Sequence, residues 1–184
     1  MKREVMGLGI KLYFNLSNRE RVVDKIKMYQ KRYMELVERI CGEGRKKIHV
    51  PSMVGIDEDM RDWSLYMILE HNARVNKTIK NIVYRLSRGE ELRPEERIDP
   101  KTDVMPEDSG MEQVDEFRRS IEEYLQAVEK VGQLKGTRKI EHPVFGAFDA
   151  HQWHCMFAFH LGIHLRQAEY IAKAIRDDIE NMKC

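Results

Sequence analysis

At 184 residues the chain is long enough for one domain with a sizeable core. Its 32 Lys and Arg stand against 31 Asp and Glu, a formal net charge of +1, so neither a nucleic-acid backbone nor an acidic membrane is the expected partner. No apolar run approaches the roughly 20 residues of a bilayer span, and the opening MKREVMGLGIKLYFNLSNRE is too interrupted to be a secretory leader. Cys41, Cys155 and Cys184 form no close pair, which points to a reduced, cytoplasmic setting. Charged residues, 34% of the chain, are spread along it rather than gathered in tails, as in long amphipathic helices with wet faces.

Residues 1–17 are expected to form an N-terminal arm, in which GLGIKLYFN is a short strand or an extended segment. Residues 18–184 carry four helical patterns. In the first, Val22, Ile26, Tyr29, Tyr33, Leu36, Val37 and Ile40 recur at three and four residues, with Ser17 or Asn18 as cap and Gly42 as stop. The second runs from about Asp59 to Arg88 on a stripe of Met60, Met67, Ile68, Val75, Ile79, Ile82 and Leu86. The third begins near Asp108 or Ser109 and shows Val114, Phe117, Ile121, Leu125 and Val128 on one side, before Gly132 and Gly136. The fourth starts at Asp149, with Gln152 completing a capping box, and continues through Trp153, Phe157, Ile171 and Ile175.

No stretch of comparable length alternates with period two. Four amphipathic helices hide their stripes only against each other, so the fold class is all-α, a four-helix bundle. The second and third helices are joined by GEELRPEERIDPKTDVMPEDSG, far longer than the roughly 2–8 residues of a tight hairpin. Such a link is a crossover along the bundle, which leaves those two helices parallel.

The fourth helix carries HQWHCMFAFHLGIHLRQ. At about 100° per residue, His160 and His164 lie about 40° apart, on the face of Trp153 and Phe157. A buried imidazole must satisfy two ring nitrogens, and one left unpaired costs roughly 1–3 kcal/mol. A divalent ion removes that difficulty for both rings, yet on spacing alone a metal pair and a pair of satisfied core histidines are equally good readings. His71, on the inward stripe near the middle of the second helix, supplies a third ring at the same level. Three inward imidazoles match a metal site with an open position.

The other histidines read differently. His151 and His154 point about 180° and 120° away from His160 and should be exposed or peripheral. His49 precedes Pro51 in a solvent-facing loop; His142 is a turn residue before Pro143, or else lines a pocket mouth. Cys155 is off the metal face and is read as filler. Tyr29 and Tyr33 are candidates to line the pocket, against the commoner fate of aromatic packing. Glu70 projects about 100° from His71 and is not assigned as a base.

Two stretches, WSLYMILEH and HPVFGAFDAHQWHCMFAFHLGIHLRQ, resemble the DinB-like metal-binding four-helix bundles: a Trp-Ser pair before a first histidine ligand, then His-Pro-x-Phe-Gly, a tryptophan and His-x-x-x-His. The resemblance runs from about Asn18 onward, and the order of the helices agrees with it. By position, the family's metal triad falls on His71, His160 and His164. What the resemblance implies is a bundle binding nickel, zinc or a related divalent ion. Some relatives are transferases or isomerases that use a low-molecular-weight bacterial thiol. The N-terminal arm and the acidic, proline-containing link depart from the pattern, which bears on the identity of the substrate.

A divalent ion held by three neutral imidazoles can activate water or capture a thiol. The expected function is a metal-dependent thiol S-transferase or a hydrolase acting on a small molecule, with a homodimer as an open option. The rival is a non-catalytic metal-binding bundle that works by association. Nucleic-acid binding fits poorly, since no basic face or aromatic platform is present.

Overall fold

The computed structural model describes residues 2–40, 42–93, 99, 102–107 and 109–181. Its helices are α1 (Lys2–Leu16), α2 (Arg19–Arg39), α3 (Leu65–Ser87), α4 (Glu112–Lys130) and α5 (Ala150–Asn181), with a hairpin of β1 (Ile140–His142) and β2 (Gly146–Phe148). Helices α2 to α5 are the four expected ones. Among the described residues no helix is long and apolar enough to cross a membrane.

Local chemistry sets most of the boundaries. Asn18 starts α2, its side chain accepting from the Glu20 N–H at 2.7 Å. Ser64 caps α3 through the Met67 N–H. That helix therefore begins at Leu65 rather than near Asp59, where a short 3-10 turn, Glu58–Met60, stands instead. The capping box at α5 forms as expected: Asp149 N–H donates to Gln152 Oε1 at 3.1 Å, and Gln152 N–H to Asp149 Oδ1 at 2.9 Å. Helix α4 starts at Glu112, later than expected, because Ser109 spends its hydroxyl on Glu70 and Glu112 accepts from the Gly110 N–H. The alternative start, Asp108, lies outside the described residues.

Cross-helix contacts fix the directions. Lys77 pairs with Glu116 and Lys80 with Glu123, so α3 and α4 advance together; the crossover does leave them parallel. His154 lies against the Arg19 carbonyl and Glu169 against Arg32, so α2 and α5 are parallel too. Gln167 reaches the Met60 carbonyl while His160 meets His71, which makes α5 antiparallel to α3. The bundle runs up-down-down-up. Its core joins Ile26, Tyr33 and Leu36 of α2, Ile68 and Ile79 of α3, Phe117, Ile121 and Tyr124 of α4, and Phe157, Leu161 and Ile171 of α5. Arg19 closes the end of α4 by donating to the carbonyls of Val128, Val131 and Gly132.

Two expectations need correction. The N-terminal segment is a helix, not an extended arm or a strand. Gly7, Ile10 and Phe14, spaced three and four apart, face the body of the protein, and a Cβ at Gly7 would stand only 3.4 Å from the Phe145 carbonyl oxygen. Strands, unforeseen, appear as a three-residue antiparallel pair with Ile140 opposite Phe148 and His142 opposite Gly146, which closes the turn with φ 75°. Such short strands leave no period to detect.

Candidate metal centre

His71, in the second turn of α3 rather than near its middle because the helix begins only at Leu65, converges with His160 and His164 of α5. His71 and His164 are buried and His160 is half-buried. Their ring centroids are 5.1 Å apart for His71–His160 and 4.7 Å for each of the other two pairs. One ligand nitrogen from each ring lies within 4.8 Å of the other two, close enough for the three to hold one ion. The 3.2 Å between Nε2 of His71 and Nε2 of His160 is near the edge of about 3.3 Å that two nitrogens make in a tetrahedral zinc shell with bonds of ~2.0–2.1 Å.

Two of the rings have their tautomers set by neighbours. His71 Nδ1–H donates to the Val104 carbonyl at 2.7 Å, leaving the Nε2 lone pair free. His164 Nδ1–H donates to Gln167 Oε1 at 3.0 Å, and the Gln167 amide is oriented by its own N–H, which donates to the Met60 carbonyl at 2.7 Å. Trp63 roofs the pair, stacked on His164 with centroids 6.0 Å apart and tilted against His71 at 5.0 Å. Nδ1 of His160 is buried without a hydrogen-bond partner.

Burial keeps all three rings neutral. It pushes His71 down to about 4 and His164 to about 3, and it holds His160 well below the usual imidazole range, with the neighbouring histidines adding to the effect. The neutral form carries the lone pair that a metal requires. The residues therefore fit a divalent ion. One proton on Nε2 of His160 could bridge to His71 without an ion, but it serves only that pair and leaves the third ring out.

Gln167 and Val104 escaped sequence reasoning, and Trp63, noted there only in the Trp-Ser pair before His71, was given no packing role against the rings. Gln167, three residues after His164, was within reach of helical spacing; a backbone carbonyl from the crossover was not. The remaining histidines divide. His49 is exposed beside Asp62 and Arg61, as expected. His142, expected in a turn, is the last residue of β1 and leads into the hairpin turn; its Nδ1 accepts from the Val144 and Phe145 N–H groups, which leaves its proton on Nε2. Its ring packs on Phe145, Phe148 and Trp153, and burial lowers it to about 4.

His151 and His154, expected at the periphery, are both buried. Helix α5 is covered on this side as well: His151 Nε2–H caps α1 by donating to the Phe14 carbonyl at 3.0 Å. His154 sits between the Tyr124 hydroxyl at 2.7 Å and the Arg19 carbonyl at 3.3 Å. Cys155 is buried filler, its thiol pushed up to about 12 by desolvation. Tyr33 belongs to the core, donating to the Leu161 carbonyl and accepting from Asn72, while Tyr29 lies over Gly162; both pack, as aromatic residues usually do.

A search of curated proteins and a search of solved structures each return no match. The family model of the DinB superfamily matches residues 26–168, well over half of the chain and all three histidines. The bundle, the parallel crossover and that match agree, and the chain belongs to the DinB superfamily.

Proposed function

We propose that the protein is a divalent-metal-dependent enzyme of the DinB type, with His71, His160 and His164 as its metal ligands and a small molecule as its substrate. The observation that supports this most is the convergence of three neutral imidazoles with ligand nitrogens within 4.8 Å of one another, two of the rings held through Nδ1 by Val104 and Gln167 so that Nε2 is left free. A structural histidine needs one partner per nitrogen; a lone-pair cluster of this kind needs a cation. Nickel or zinc suits the donor set, although three imidazoles accept several first-row ions. The ion would supply Lewis acidity to a water or a thiol, which is the chemistry of a hydrolase or a thiol S-transferase. The chain's own contribution is to hold the ligands neutral and oriented and to leave a coordination position for substrate. A low-molecular-weight thiol as co-substrate, a cytoplasmic location and a homodimer complete the proposal.

The first test is elemental analysis of protein purified without added metal. About one ion per chain is expected for wild type, and strong loss for His71→Ala, as when one of three ligands is removed. Retained stoichiometry in the variant removes His71 from the site. A thiol with an electrophile, assayed beside ester and amide substrates, then separates transferase from hydrolase. If metal removal unfolds the chain and neither arm shows turnover, the non-catalytic bundle is the better description.

A further inference from the structure

Helix α3 turns His71 toward α5 and, on its outer side, Glu70 and Arg74 toward the crossover. Glu70 is a buried carboxylate, only 7% exposed, and it does not touch the histidines. One of its oxygens accepts from the Glu107 N–H at 3.0 Å and from the Ser109 hydroxyl; the other pairs with Arg74. Arg74 in turn donates to the Met105 carbonyl at 2.8 Å and reaches Glu107 at 3.3 Å. All these contacts grip the crossover immediately after Val104, the residue whose carbonyl holds Nδ1 of His71.

We infer that Glu70 and Arg74 are positioning residues for His71: one turn of α3 holds the crossover so that the Val104 carbonyl fixes which nitrogen of His71 faces the other two rings. This rests on the metal reading above only for its functional consequence; the tautomer control itself does not need an ion. A carboxylate so buried is expensive to desolvate, and surface salt bridges alone give it little return. Three donors converging on it from two segments give it a specific task. The coupling is reciprocal, so an ion that pulls on Nε2 of His71 also strengthens the Nδ1–H bond to the crossover.

The test uses full-length protein, wild type beside Glu70→Leu, Glu70→Gln and Arg74→Met. Zinc dissociation constants come from competition with a chromophoric chelator, and ring tautomers of the metal-free proteins from long-range 1H–15N NMR. Glu70→Leu should weaken zinc by about tenfold or more, the low end of what loss of a ligand's outer hydrogen-bonding support produces. His71 should lose its uniform Nδ1–H form, while His164, held by Gln167, keeps it. Glu70→Gln retains an acceptor for the Glu107 N–H and should stay near wild type. Arg74→Met, at a half-buried position, should shift His71 in the same direction and carries the test if Glu70→Leu fails to fold. Wild-type affinity together with an unchanged His71 tautomer in folded Glu70→Leu overturns the inference. Absence of zinc binding in wild type overturns the metal reading instead, and the tautomers still decide this one.

Discussion

His154 makes a quantitative prediction about acid stability. Its ring is fully buried, and both nitrogens are used in the neutral form, Nε2–H donating to the Arg19 carbonyl and Nδ1 accepting from the Tyr124 hydroxyl. Desolvation lowers it from 6.5 to about 4. Between those two values the unfolded chain binds a proton that the folded chain refuses, so stability is full above pH 6.5 and falls as pH drops toward 4. For those two pKa values the loss is about 2 kcal/mol at pH 5 and about 3 kcal/mol near pH 4. Such a loss is a large share of the roughly 5–15 kcal/mol that holds a typical domain together. Urea unfolding at pH 7 and pH 5 measures it, in chelator so that metal release does not contribute. His154→Gln offers an amide N–H and C=O in place of the two ring nitrogens and cannot titrate. Other buried histidines respond to acid equally in both proteins and cancel in the difference. Wild type should lose about 2 kcal/mol more than the variant over this range. Equal losses, within about 0.5 kcal/mol, would mean that the ring is not held neutral as described.

Other expectations follow from the same contacts. Gln167→Leu removes the acceptor that orients His164 and should weaken metal binding about 10–100-fold, read by chelator competition; unaltered affinity would remove Gln167 from the site's support. Gly44→Ala would drive a Cβ into the ring of Tyr66, which is 2% exposed and cannot swing away. Overpacking of this kind should cost about 1–3 kcal/mol in urea unfolding, and a neutral result would show that the short 3-10 turn Glu43–Arg45, which holds Gly44, gives way easily.

What could be read from the chain before folding is what helix geometry imposes locally. His160 and His164 share a face because they are four residues apart, His71 lies on the stripe that also bears Ile68 and Val75, and Asp149 and Gln152 cap one another across a single turn. The long, proline-bearing link already required a parallel crossover. Tertiary structure decided which faces are covered and which distant groups meet. Helix α1 and Arg19 enclose the side of α5 that single-helix geometry leaves open, so His151 and His154 become buried anchors. Val104 contributes only a backbone carbonyl, common to every residue, so no side-chain pattern could have picked it out; the bundle brings it to His71 from 33 residues away. Periodicity tells where a side chain points, whereas what it meets there depends on the other helices and the loops between them.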